Sequence, residues 1–184
     1  IHRATAKVKT LGALLAGGKA RRFGSDKAEA MLHGRALIEH AIEALRPHCD
    51  ALVIVARRSP LAPSAEDWPG PGMGPLGGLG GALDHALRHN FDQVLTSPVD
   101  CVRLPADLRT LLDPAPACLA DQPVIGLWPA RAAGALEALL FSDARHSVYG
   151  FAERIGARMV KTATHPININ TPEDLDGLER SLPQ

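Results

Sequence analysis

The sequence predicts an α/β protein built on a mostly parallel central sheet with helices on both faces. Three observations carry that expectation. Apolar runs of strand length, VKTLGALLA at 8–16 and ALVIVA at 51–56, lack alternation, as strands buried on both faces do. Helical apolar stripes stand between such runs, in the order that builds βαβ units. The 184 residues, 46% hydrophobic and 22% charged, suffice for one domain with a core of its own.

The first strand, 8–16, ends at Gly17-Gly18. Residues 35–46 follow as an amphipathic helix. Leu37, Ile38, Ala41, Ile42 and Leu45 share its apolar face, and Pro47 stops it. Residues 51–56 form the second strand. The stretch PGPGMGPLGGLGG at 69–81 reads as a loop feeding a helix over 79–89, where Ala82, Leu83, Ala86 and Leu87 make a stripe. QVLTS at 93–97 is a third strand. A helix at 105–113 carries Leu108, Leu111 and Leu112, and VIGLW at 124–128 is a fourth strand. Helices over 132–141 and 147–155, a strand over 158–163 and a last helix from Thr171 complete the chain. All of 1–184 is expected to form a single domain, with residues 1–7 a flexible lead.

Charge and composition exclude several function classes. Twenty Lys and Arg balance twenty Asp and Glu, so the basic excess of a nucleic-acid binder is lacking overall. No apolar stretch approaches the ~20 residues that a membrane-spanning helix needs. The opening IHRATAKVKT lacks a signal-peptide core, and Cys49, Cys101 and Cys118 do not form a disulfide framework. A cytoplasmic protein is expected. Residues 1–35 nevertheless carry eight basic side chains against Asp26 and Glu29, which suggests an anionic ligand at that end.

Four segments could carry chemistry. In LAGGKARRFGSDK at 15–27, the two glycines let the chain turn and a ligand approach the backbone, whose N–H groups can form an anion-binding nest. Arg22 and Lys27 add positive charge there. Neither a Walker A loop nor a dinucleotide-binding G-x-G-x-x-G is present. Asp100, in SPVD past the third strand, offers the hard oxygen that Mg²⁺ takes when substrate phosphates and water supply its other ligands. The loop at 72–78, with Asp67 upstream, can bring main chain close to a base or ribose. In ININ at 167–170, alternation places Asn168 and Asn170 on one face and the isoleucines on the other. Thr171 and Pro172 then start a helix. His85 and His89 have zinc-compatible spacing but no third ligand, and read as a solvated helix face.

Together these motifs resemble the molybdenum cofactor guanylyltransferases, a family of the nucleotidyltransferase superfamily. The matching text is LAGG at 15–18, R-F-G at 22–24, D-K at 26–27, HGR-x-LIEH at 33–40, GPLGG at 74–78, P-x-D at 98–100 and NINTPEDL at 168–175. The resemblance spans about residues 11–178. It implies a three-layer, Rossmann-like nucleotidyltransferase fold and an Mg²⁺-dependent transfer of GMP from GTP to molybdenum-bound molybdopterin, with pyrophosphate released. It implies that Leu15, Ala16, Gly17, Gly18, Gly74, Leu76 and Gly77 lie along the nucleotide and that Asp67 binds it. Lys27 then meets the phosphates, assisted by Arg22, and Asp100 holds Mg²⁺. Asn168, Asn170 and Arg145 form the pterin side. Transient contact with other molybdenum cofactor biosynthesis proteins is implied as well. Gly17-Gly18 favours guanine, because related cytidylyltransferases tend to read LAAG here. The alternatives are a CTP-dependent molybdopterin cytidylyltransferase, a sugar-phosphate nucleotidyltransferase, or a non-catalytic nucleotide or cofactor carrier.

Overall fold

A computed structural model describes residues 7–17 and 26–181. Gly18 and Arg22, both expected in the site, lie outside the described residues, as do residues 1–6 of the expected flexible lead. Eleven strands are described: β1 (Thr10–Leu15), β2 (Met31–Leu32), β3 (Arg35–Ala36), β4 (Ala51–Val55), β5 (Ser64–Ala65), β6 (Gln93–Pro98), β7 (Cys101–Arg103), β8 (Ala117–Leu119), β9 (Gly126–Pro129), β10 (Arg158–Val160) and β11 (Ile167–Asn168). Six α-helices accompany them: α1 (Leu37–Leu45), α2 (Gly74–Arg88), α3 (Leu108–Leu112), α4 (Ala133–Leu140), α5 (Val148–Arg154) and α6 (Pro172–Ser181). A 3₁₀ turn at Lys27–Glu29 precedes β2.

The main sheet has the order β10-β8-β9-β6-β1-β4-β5. The pairs β1–β4, β1–β6, β4–β5 and β8–β10 are parallel, whereas β9 runs antiparallel to β6 and β8. Alternation along the central strands sorts their side chains into two cores. Leu11, Ala13, Leu15, Val53, Val55 and Val94 pack with α2, α4 and α5 on one face. Leu14, Ile54 and Leu95 pack with α1 and α3 on the other. This is the three-layer arrangement that unalternating strands require. Trp128 is fully buried and donates through Nε1 to Thr96 Oγ1 at 2.8 Å, so it is a packing residue.

The chain passes from β1 through α1 to β4 on one side of β1, then through α2 to β6 on the other. That reversal beside β1 opens a crevice at the carboxyl ends of β1, β4 and β6, where doubly wound sheets bind ligands.

Two expectations change. The stretch 69–81 is not all loop, because α2 begins at Gly74. Glycine disfavours helix by about 1 kcal/mol relative to Ala, so propensity alone hides this start. Packing compensates: a Cβ on Gly81 would lie 2.0 Å from the carbonyl oxygen of Glu66, so the helix reaches the 66–68 segment only with glycine there. Strands β2, β3, β5, β7, β8 and β11 are too short to leave a periodic signal. The β2–β3 hairpin turns at His33 (φ +49°) and Gly34 (φ +74°), the two positive φ values of a type I′ turn.

Candidate active site

Three strand ends build the site. At the end of β1, Ala16 N donates to Val55 O of β4 at 3.0 Å, and Leu15 O accepts from Val99 N, just past β6, at 3.1 Å. Gly17, Ala56 and Asp100 therefore leave the sheet side by side.

On the β1–β4 side lies a cleft of 780 Å³, lined by Leu15, Gly17, Ala56, Asp67, Gly74 and Gly78 among others. A Cβ on Gly17 would stand 2.8 Å from Cβ of Ala56, so only glycine lets the two chains pass at this spacing. The same point is 3.7 and 3.8 Å from the Asp67 carboxylate oxygens. Burial, with the neighbouring Glu66 charge, raises the Asp67 carboxyl above its ordinary pKa. A half-buried carboxylate against a glycine wall is primed to accept hydrogen bonds from a donor-bearing ligand.

On the β1–β6 side, Lys27 Nζ lies 2.9 Å from Asp100 Oδ2 and donates to Asn170 Oδ1 at 3.2 Å. The side chains of Lys27 and Asp100 are only 15% and 24% exposed, so this charge pair is largely withdrawn from solvent. Local structure brings the three residues together. The 3₁₀ turn presents Lys27, capped by Asp26 Oδ1, which accepts from Ala28 N at 3.2 Å. Asp100 O accepts from Ile169 N at 2.9 Å, and Asn168 pairs with Cys101 across β7–β11. Asn170 is then fixed by the start of α6. Asp174 Oδ2 accepts from Asn170 N and Thr171 N at 2.8 and 2.9 Å, while Thr171 Oγ1 accepts from Asp174 N at 3.2 Å. This capping box holds the Asp174 carboxyl below its ordinary pKa, chiefly through the Asn170 N–H.

The expected alternation in ININ holds at its centre, with Ile169 buried between two outward asparagines. The asparagines have different partners, however. Asn168 forms a reciprocal amide pair with Gln122, at 3.0 and 2.9 Å. Leu76 is buried in the core, so its side chain packs rather than facing the cleft. Gly77 is buried in the first turns of α2, with its carbonyl accepting from Trp68 N at 3.0 Å. Arg145 is exposed between α4 and α5, and among the described residues no hydrogen bond joins its side chain to Lys27, Asp100 or Asn168.

A divalent cation fits this donor set. The Lys27 ammonium occupies Asp100 Oδ2 and Asn170 Oδ1, and Asp100 Oδ1 is the hard oxygen left for the ion among the described residues. Among the described residues no group of three or more His, Cys, Asp or Glu converges, so protein carboxylates alone do not cage an ion. A divalent ion held here would take the rest of its shell from water or substrate.

Residues 12–159 match the MobA-like NTP transferase domain. The chain belongs to this family. It is 37% identical to the molybdenum cofactor guanylyltransferase of Acidiphilium cryptum, over 90% of this chain and 92% of that one. It is 36% identical to the enzyme of the same name from Bradyrhizobium, over 92% and 91%. Among solved structures it resembles molybdopterin-guanine dinucleotide biosynthesis protein A of Archaeoglobus fulgidus, with a TM-score of 0.72 and 24% identity over 92% of this chain and 97% of that one. The chain is thus a nucleotidyltransferase with a Rossmann-like fold. No helix among its described residues is long and apolar enough to cross a membrane.

Two residues of this region escape sequence reading. Gln122 follows β8 in no recognisable motif, yet it meets both the oxygen and the nitrogen of the Asn168 amide. Arg57 reads as an ordinary surface charge after β4. Its nitrogens instead lie 2.5 Å from Asp26 Oδ2 and 2.5 Å from Glu29 Oε1, 31 and 28 residues away in the chain.

Proposed function

We propose that this chain is a molybdenum cofactor guanylyltransferase, transferring GMP from GTP to molybdenum-bound molybdopterin as a single cytoplasmic nucleotidyltransferase domain. The convergence of Lys27, Asp100 and Asn170 at the switch point beside β1 carries the reading. The family relationship supplies the reaction class, and the curated relatives' names support the substrates.

In the proposed reaction, the terminal phosphate of the pterin attacks the α-phosphorus of GTP. One P–O bond forms as the bond to the β-phosphate oxygen breaks, and pyrophosphate leaves. Such a transfer needs positioning and charge stabilisation rather than a nucleophilic side chain. Lys27 has three ammonium protons. Two are engaged by Asp100 and Asn170, which aim the third at a phosphoryl oxygen. Asp100 would hold Mg²⁺, which supplies charge compensation on the phosphoryl oxygens when bound. Asp67 accepts from the nucleoside in the cleft. Guanine offers the adjacent N1–H and N2–H₂ donors that a carboxylate can take together, whereas cytosine offers a single amino group. Asn168, held by Gln122, together with Asn170 and Arg145 serves the pterin side.

Pyrophosphate release tests the reading. Purified protein with GTP, Mg²⁺ and metallated pterin should release it, and CTP in place of GTP should not. Equal rates with CTP would reassign the base, and no release with either would leave only a carrier.

A further inference from the structure

We propose that Arg57 is a positioning residue for Lys27, acting through the two carboxylates that bracket it. This rests on the role given to Lys27 above. The turn that carries Lys27 is only three residues long, and so short a 3₁₀ segment does not hold its shape unaided. Asp26 and Glu29 stand three residues apart, one 3₁₀ turn, and therefore on the same side of it. Arg57 spans them with its two terminal nitrogens: Nη1 to Asp26 Oδ2 and Nη2 to Glu29 Oε1. Asp26 uses both oxygens at once, Oδ1 capping the turn from within and Oδ2 tying it to Arg57. Ala28 is buried in the α1 core and anchors the middle of the turn. Lys27 leaves the turn toward Asp100 and Asn170.

The base of this clamp is stiff. Arg57 is the second residue past β4, a strand paired on both sides. Ala56 before it holds a left-handed φ of +65°, and its N–H is tied to Ala65 O at 2.8 Å. A non-glycine residue persists in that conformation only where its surroundings enforce it. With its guanidinium matched by two carboxylates, Arg57 is occupied as a brace and is not the phosphate contact itself. A lysine could replace it only in part, because a single ammonium cannot span both carboxylates in the same fork geometry.

The test is a double-mutant cycle on the full chain. Arg57→Ala should lower kcat by about 10–100-fold, the scale expected when a catalytic group is misplaced by about 1 Å. Arg57→Lys should recover part of that loss. In a Lys27→Ala background, Arg57→Ala should change kcat by less than about twofold, because residues acting through one another are not additive. Losses that multiply across the two positions, or a wild-type kcat in Arg57→Ala, would overturn the proposal. Should Arg57→Ala not fold, Glu29→Gln replaces it. That change removes the charge from one arm of the fork, and it must show a smaller loss with the same non-additivity. If Lys27→Ala alone leaves kcat unchanged, the fault lies in the role given to Lys27, and the cycle reports that separately.

Discussion

Gly17→Ala tests the close passage of two strand ends that shapes the proposed nucleotide cleft. The added Cβ would stand 2.8 Å from Cβ of Ala56, while ordinary contact begins at 3.4 Å, so the chains after β1 and β4 must part by about 0.6 Å. Neither atom sits on a flexible side chain, and Leu15 and Val55 are locked in register at the strand ends. Overpacking of this kind costs about 1–3 kcal/mol. At about 2–4 °C per kcal/mol for a chain of this size, Tm should fall by roughly 2–12 °C. The methyl group also comes within 3.7 Å of the Asp67 carboxylate and covers one approach to it. If a comparable energy is withheld from nucleotide binding, KM for GTP rises by about 5- to 150-fold, each 1.4 kcal/mol being tenfold. Thermal melts and steady-state kinetics with GTP and CTP read both effects. The decisive arm is Ala56→Gly in the Gly17→Ala background. It removes the clashing atom and places glycine at a φ of +65°, so it should restore most of the lost Tm. A Gly17→Ala protein with unchanged Tm and KM, or one that Ala56→Gly does not rescue, would refute the steric argument.

Other outcomes are expected around the same crevice. Lys27→Ala should cost on the order of 10²–10³ in kcat, the loss seen when one preorganised charge-stabilising donor is removed; steady-state rates check it, and a loss below tenfold removes Lys27 from the mechanism. Asp100→Asn should raise the Mg²⁺ concentration needed for half-maximal activity, and an unchanged titration dismisses Asp100 as the metal ligand. The Asp67 carboxyl is raised above its ordinary pKa, so acidification protonates it earlier than a free carboxyl and removes an acceptor. GTP affinity should therefore fall from a higher pH than that of ordinary Asp titration, around 4. The sign for stability is opposite: the folded form binds this proton more tightly than the unfolded chain, so Asp67 alone favours folding more as pH falls through its raised pKa. Asp67→Asn should flatten its share of the pH profile of GTP binding, measured by calorimetry against wild type. Thr171→Ala removes the hydroxyl half of the capping box at α6 and should cost about 0.5–2 kcal/mol by denaturant unfolding. It should also lower kcat, because Asn170 is fixed by the same box.

Much of the fold was legible because long buried strands and amphipathic helices advertise themselves by period. The apolar runs at 8–16 and 51–56, and the α1 stripe from Leu37 to Leu45, required only hydrophobic spacing to be read. The N-cap at Thr171 was equally plain, since capping is a local interaction. The start of α2 was hidden, because its stability comes from contact with the 66–68 segment rather than from the propensity of its glycines. The antiparallel course of β9 was hidden too, since a short apolar run carries no direction.

The amino-acid order by itself determined which residue types were available: a lysine after a glycine turn, an aspartate past a strand, paired asparagines before a capped helix. Those are local patterns, and local chemistry writes them. Which of them meet was decided by tertiary structure alone. Asp100 and Asn170 lie 73 and 143 residues from Lys27 in the chain, and the crossover beside β1 brings them within hydrogen-bond reach of it. Folding likewise turned Arg57 from a surface charge into a brace and tied Asn168 to Gln122. It also placed Leu76 in the core, because partners so distant in sequence are selected by strand order and packing, to which no short motif has access.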